Sequence, residues 1–224
     1  MVLIENVRGI TYDFAAEAGA PRNFASELVE RLEARYHVYM DTIRCSDFGV
    51  PQHRPRFFLI GMLKASGRRL PRRDDPFSRL RSSRRRLLDA RGLRTPVTAR
   101  QALSDLEVRG APTVDCGDSN GYQAIVASAP RSTFQKLMKD GHVGQVPDTR
   151  LAKHRPHIVE RFGKIIEECR EAGRLCVQLN AEMRRRHGIN KMATRVLDPD
   201  KPAPTITSMP DDLLHYSEPR TLTV

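Results

Sequence analysis

Short apolar runs near the start of the chain predict strands. Val2–Glu5 is apolar up to its final acid, and Phe57–Leu63 is almost wholly apolar, as in strands buried on both faces. Residues 37–44 alternate between apolar and polar positions, which is typical of a half-buried strand. We therefore expect an α/β fold with Val2–Glu5 as a central parallel strand.

Apolar residues at helical spacing predict three helices. The first covers residues 24–32 and follows Asn23, a residue type that caps helices well. The second runs over residues 99–106, with Thr98 as its cap. The third covers residues 158–169 and ends near Gly173. Most of their apolar residues should pack into a core.

Between these segments, residues 64–100 are crowded with arginine and contain few acids. The pattern predicts either a loop or a marginal helix. One interpretation is a solvated, partly disordered insertion. The other is a surface that contacts nucleic-acid phosphates, which adds affinity without reading sequence.

Overall charge narrows the choice of partner. The 224 residues include 38 Lys and Arg against 27 acids, a formal net charge of +11, and 39% are hydrophobic. This balance favours a polyanionic partner such as nucleic acid, whether DNA or RNA. We expect a cytoplasmic protein with no membrane span, because no apolar run is long enough for one. The four cysteines form no Cys-x-x-Cys pair, so no metal site is predicted.

Two arginines, Arg54 and Arg56, lie one residue apart just before the Phe57–Leu63 run, after a turn at Gly49 and Pro51. Residues two apart in an extended chain point to the same side. A pair of guanidiniums at a strand entrance suits a planar, acceptor-rich ligand such as a nucleobase or a phosphate. On spacing alone, two solvated arginines beside a core strand fit equally well.

Four segments, in order, resemble the DNA (cytosine-5) methyltransferases: Glu5-Asn6-Val7, residues 50–61, residues 202–207 and residues 220–224. The resemblance implies the later half of an S-adenosylmethionine-dependent methyltransferase (Rossmann-like) sheet plus a small, irregular target-recognition region. It implies a partial catalytic domain over residues 1–110, recognition over 111–208 and a return to the catalytic domain over 209–224. Two strands over residues 195–202 and 205–207 should close the recognition region.

The same resemblance assigns roles to single residues. It implies that Glu5 grips the Watson–Crick edge of a cytosine flipped out of duplex DNA. Arg56 would lie near the flipped ring, and Arg54 would help support the site and the glutamate. The remaining site residues would contact substrate or DNA, and these are Asn6, Gln52, Thr205 and Thr207.

Parts of the family pattern are not found in these residues. The family nucleophile is a cysteine that follows a proline, and no cysteine here does so. The glycine-containing loop that binds S-adenosylmethionine is also missing. We therefore expect this chain alone to be inactive, as a fragment or as one half of a split enzyme with a complementary chain. The alternatives are a DNA-binding remnant without chemistry and a basic RNA-associated protein.

Overall fold

The computed structural model describes residues 1–14, 23–142, 146–206 and 210–222. The chain forms two compact units. The first comprises Met1–Gly49 and Arg54–Thr95, and the second comprises Val50–His53 and Pro96–Val224. The predicted limits of the recognition region, residues 111–208, remain a prediction.

Strands and helices are interspersed along the chain, so the fold is mixed α/β, as predicted. The strands are β1 (Val2–Val7), β2 (Tyr36–Arg44), β3 (Gln52–His53), β4 (Pro55–Leu63), β5 (Thr113–Asp115), β6 (Gln123–Ile125), β7 (Arg195–Val196), β8 (Ala203–Pro204) and β9 (Leu213–Leu214). The helices are α1 (Phe24–Glu33), α2 (Pro76–Ala90), α3 (Ala99–Leu103), α4 (Thr133–Met138), α5 (Pro156–Glu171) and α6 (Ala181–Arg186). Among the described residues, no helix is long and apolar enough to cross a membrane.

The first unit is built on a three-stranded sheet of order β1-β4-β2, in which β4 is antiparallel to both neighbours. The prediction that Val2–Glu5 is a central parallel strand is therefore wrong for the described chain. β1 lies at an edge of this sheet, and Leu3 and Val7 are 61% and 54% exposed. An apolar run does not encode the direction of the neighbouring strand. The parallel, central position could therefore not be read from the sequence of β1.

One face of this sheet carries the core of the first unit. Ala25 of α1 packs there with Val38, Phe57 and Leu59, all of them buried. Burying a large apolar side chain contributes about 1.5–3 kcal/mol, so this face holds α1 on the sheet. The Asn23 side chain accepts the N–H of Ser26 at 2.9 Å, which confirms the predicted cap.

The arginine-rich stretch contains a helix, so the loop interpretation is wrong for residues 76–90. Pro76 occupies the first turn of α2, where its missing N–H costs nothing. The Asp75 side chain caps the helix by accepting the N–H of Ser78 at 2.7 Å. Phe77 and Leu88 are buried and fix the two ends of α2 to the unit.

Two cores organise the second unit. α5 has the predicted apolar face, with Phe162, Ile165, Ile166 and Cys169 buried, and Gly173 follows its end with a φ of 62°. The second core joins α3 to the last strands and contains Ala99, Leu197, Ala203, Leu213 and Tyr216. Thr98 and Gln101 form a capping box at α3, as the cap prediction requires.

The second unit also contains short two-stranded ribbons. β5 pairs antiparallel with β6, while β3 pairs with β8 and β7 with β9 in parallel. The strand predicted over residues 195–202 is reduced to Arg195–Val196, and the one predicted over 205–207 is wrong for Thr205 and Ile206, which follow β8 and lie in no strand, while residue 207 lies outside the described residues. Proline at 199, 202 and 204 limits strand pairing here, because each removes an N–H donor.

Candidate functional site

Glu5 and Arg56 are in direct contact in the first unit. Arg56 Nε lies 2.9 Å from Glu5 Oε1. Glu5 on β1 is opposite Phe58 on β4, so Arg56 is its diagonal neighbour on the same face of the sheet. The strand register therefore brings together two residues that are 51 positions apart in the sequence.

The two side chains differ in exposure, and this difference suits ligand binding. The Arg56 side chain is 13% exposed, whereas that of Glu5 is 51% exposed. Arg56 Nη1 also donates to the carbonyl of Pro55 at 2.9 Å, so two contacts hold the guanidinium in place. An ion pair with one half-exposed partner adds only about 0–1 kcal/mol of stability. Its main effect is to orient a carboxylate that solvent, or a ligand, can reach.

Asn6 and Arg54 belong to the same unit, near this pair in sequence. Asn6 is exposed, and its Oδ1 accepts the N–H of Val7 at 2.7 Å. Arg54 is half-buried, and its carbonyl accepts the N–H of Cys45 at 3.2 Å. That bond ties the loop before β4 to the end of β2. The predicted roles of both side chains toward a base or DNA remain predictions.

Gln52 and Thr205 are brought together in the second unit by the β3–β8 ribbon. Gln52 pairs with Ala203 and His53 with Pro204. The Thr205 hydroxyl donates to the carbonyl of His53 at 3.1 Å. In this conformation its hydrogen is already used, so a phosphate contact requires the hydroxyl to rotate away from His53. Thr207 lies outside the described residues.

The second unit contains a buried polar cluster that no sequence pattern marks. His215 is 1% exposed, and its Nδ1 accepts the N–H groups of Ser217 and Glu218, both at 3.2 Å. Burial, reinforced by the positive charge of Arg220, lowers the pKa of His215 to about 4. Its imidazole is therefore neutral at physiological pH.

Glu218 anchors this cluster to the segment after α3. One carboxylate oxygen accepts the N–H groups of Val108 and Arg109, at 2.7 and 2.8 Å. The other lies 2.8 Å from Arg220 Nε, and both side chains are nearly buried. Burial alone would raise the pKa of Glu218, but the bonds to Arg220 outweigh it and lower the pKa. Both carboxylate oxygens of Glu218 accept from protein donors, so Glu218 is a structural brace, whereas His215 Nε2 is buried without a hydrogen-bond partner among the described residues.

A cofactor or metal ion bound by the described residues would need a cluster of suitable side chains. Among these residues, no group of three or more His, Cys, Asp or Glu could hold a metal ion. A cavity of about 650 Å³ lies in the first unit. Its charged groups are already paired, Arg81 with Asp41 and Arg69 with Glu33. It therefore offers poor partners for the amino-acid group and sulfonium of S-adenosylmethionine, and we assign no described residue to that cofactor.

Comparison with known proteins relates this geometry to a family. A family model described as C-5 cytosine-specific DNA methylase matches residues 1–224. Among solved structures, the chain is similar to an E. coli protein described as a DNA modification methyltransferase encoded within a prophage. The two are 16% identical with a TM-score of 0.52, over 99% of this chain and 55% of the other, so the likeness concerns the fold alone. The chain thus spans about half of that protein's length. A search of curated proteins finds no match.

Proposed function

The chain belongs to the C-5 cytosine-specific DNA methylase family, and we propose that it forms the base-binding part of an enzyme that methylates C5 of cytosine in duplex DNA. The observation that carries this proposal is the Glu5–Arg56 contact, with Nε 2.9 Å from Oε1. The family resemblance requires these two side chains to act on one base. The alternative, in which Arg54 and Arg56 are merely solvated, does not fit Arg56, whose side chain is 13% exposed and bound to Glu5.

We propose that Glu5 holds the Watson–Crick edge of an extrahelical cytosine. Its carboxyl group can accept a hydrogen bond from the exocyclic amine and share a proton with ring N3. That proton draws electron density from the ring and makes C6 more open to attack by a nucleophile. The 51% exposure of the Glu5 side chain leaves room for a base to approach.

Arg56 would act at the other end of the same ring edge, where O2 lies. Its Nε and Nη1 are engaged by Glu5 and by the carbonyl of Pro55. A guanidinium has five N–H donors, so the Nη2 donors can reach a further acceptor. Directed at the base O2, they would stabilise the negative charge that develops when the ring is attacked. Arg54 would support this arrangement from the loop before β4.

Contacts to the rest of the DNA are assigned to residues that flank the base site in the motifs. Asn6 follows Glu5 directly and would contact the substrate. Gln52 would hold local backbone or DNA in place, and the hydroxyls of Thr205 and Thr207 would contact the DNA backbone near the flipped nucleotide. The β3–β8 ribbon supports this assignment for Gln52 and Thr205, because it holds the two segments side by side.

S-adenosylmethionine would supply the methyl group. The proposal requires a cysteine nucleophile and a cofactor loop from residues outside these 224, either in the same polypeptide or in a complementary chain. The part played by this chain is to bind the base, share a proton at N3 and stabilise charge at O2. A DNA-binding remnant without chemistry is the competing function, and the net charge of +11 favours it equally.

Labelled methyl transfer to duplex DNA tests the proposal in an enzyme assembled from this chain and the segment that carries the Pro-Cys nucleophile and cofactor loop. We expect transfer with the unchanged chain and a loss of about 10²–10⁴-fold with Glu5→Gln, because an amide cannot share the N3 proton. Glu33→Gln is a matched control, since Glu33 forms an exposed ion pair with Arg69 in the same unit. Absence of transfer in the assembled enzyme, or equal transfer by Glu5→Gln, would contradict the proposal.

A further inference from the structure

Helix α2 has an unusual distribution of charge. Residues 68–94 contain eleven arginines and three aspartates. Five of these arginines lie on α2 itself, and residues 79–87 are all exposed. A helix that is polar almost all round gains little from packing, so its composition calls for another explanation.

Some of the α2 arginines face away from the buried side of the helix. Phe77 and Leu88 are its buried residues. Each residue of an α-helix turns the chain by about 100°, so Arg79 and Arg86 face roughly opposite those two anchors. Arg79 and Arg86 are separated by seven residues, about two turns or 10.5 Å along the axis, and lie on one face.

The outward arginines are not neutralised by the described protein. Arg81 pairs with Asp41, and Arg85 lies 3.7 Å from Asp89 with both side chains highly exposed. Among the described residues, Arg79, Arg84 and Arg86 have no ion pair. Ser82 and Ser83 lie between Arg79 and Arg86, and their hydroxyls donate back to carbonyls of their own helix. Because these two side chains are small, they do not block access to the guanidiniums on either side.

We propose that α2 is a phosphate-binding surface that lies along the backbone of duplex DNA and adds affinity without reading sequence. This inference rests on the proposed function, in that it takes the same duplex as partner. Guanidiniums bind phosphate oxygens through paired N–H donors, and a duplex carries one charge per about 1.7 Å of its axis. Arg79 and Arg86, which form no ion pair among the described residues and share one face of α2, match such a row of phosphates.

The salt dependence of duplex binding by the full chain tests this role. Each lost phosphate contact should lower the slope of log K against log salt by about 1, so Arg79→Gln/Arg86→Gln should lower it by about 2. The loss should be the same for unrelated duplex sequences. Glutamine preserves helix propensity, so the fold of α2 should survive, and circular dichroism would verify it.

Arg31→Gln/Arg35→Gln is the matched control, because it removes the same charge from exposed positions of the same unit. We expect this variant to change the slope by much less. An unchanged slope in the α2 variant, an equal loss in the control, or a selective loss of binding to single-stranded RNA or to anionic vesicles would overturn the inference. Methyl transfer that depends on Glu5 would persist in any of these cases, so the two proposals fail separately.

Discussion

Arg56 reaches Glu5 diagonally across β1 and β4, with its Nε 2.9 Å from Oε1. The diagonal arises because Glu5 pairs with Phe58, two residues beyond Arg56 on an antiparallel strand. A shift of one residue in register would turn one of the two side chains to the other face. The β1–β4 register therefore fixes the candidate base site.

Arg56→Lys should impair catalysis more than folding. Lysine keeps the charge but has no planar fork, so it cannot bind Glu5, the Pro55 carbonyl and a base O2 together. Losing one donor to a developing anion costs about 10²–10³-fold in kcat. Kinetics of labelled methyl transfer in the assembled enzyme would measure this, with Arg69→Lys as the control. A variant with unchanged kcat would remove Arg56 from the mechanism.

Acid should destabilise the second unit through His215. Its pKa is about 4 in the folded chain, below the ordinary value of 6.5. The unfolded chain therefore binds the proton first, and stability is lost as the pH falls from about 6.5 toward about 4. Linkage gives a loss of about 3 kcal/mol across this range.

Denaturant unfolding at several pH values would measure this loss, and His215→Asn supplies the comparison. The asparagine variant should be less stable at neutral pH but should lose less stability on acidification. Burial also lowers the pKa of His154, and its contribution remains in both proteins and cancels. Parallel pH profiles for the two proteins would show that His215 is not the acid-sensitive group.

Glu218→Ala should be among the most damaging single substitutions in the second unit. It leaves Arg220 without its partner and two backbone N–H groups without their acceptor, in a nearly buried position. Breaking such a pair costs about 3–5 kcal/mol. Glu160→Ala, which removes the exposed pair with Lys164, should cost far less, because exposed ion pairs contribute little to stability. Unfolding curves that show similar losses for both variants would contradict the assignment of Glu218 as a brace.

Local patterns predicted the local structure well. Asn23 and Thr98 cap helices as expected, and the apolar stripe of α5 is buried. The direction of β1 could not be predicted, because antiparallel pairing with β4 depends on contacts between residues 49 to 59 positions apart. Short-range periodicity contains no such information.

The candidate site divides in the same way. The ion pair between Glu5 and Arg56 was not implied by the motifs, because the resemblance gives the support of Glu5 to Arg54, but a joint role of Glu5 and Arg56 at one base was implied. The His215–Glu218 brace was not, because it depends on burial and on two N–H groups near residue 108 that no sequence pattern marks. The pattern of the arginine-rich segment fits either a loop or a marginal helix. The structure shows a helix, α2, with Phe77 and Leu88 buried.

The central claim is that Glu5 holds an extrahelical cytosine, and one binding comparison tests it most directly. A mispaired base costs less to flip, so the chain should bind a duplex with one mispaired cytosine more tightly than the same duplex fully paired. Glu5→Ala should remove this preference, whereas Glu5→Gln should keep it, because an amide can still hydrogen-bond the base edge. Equal preference in the Glu5→Ala variant and the unchanged chain would contradict the claim.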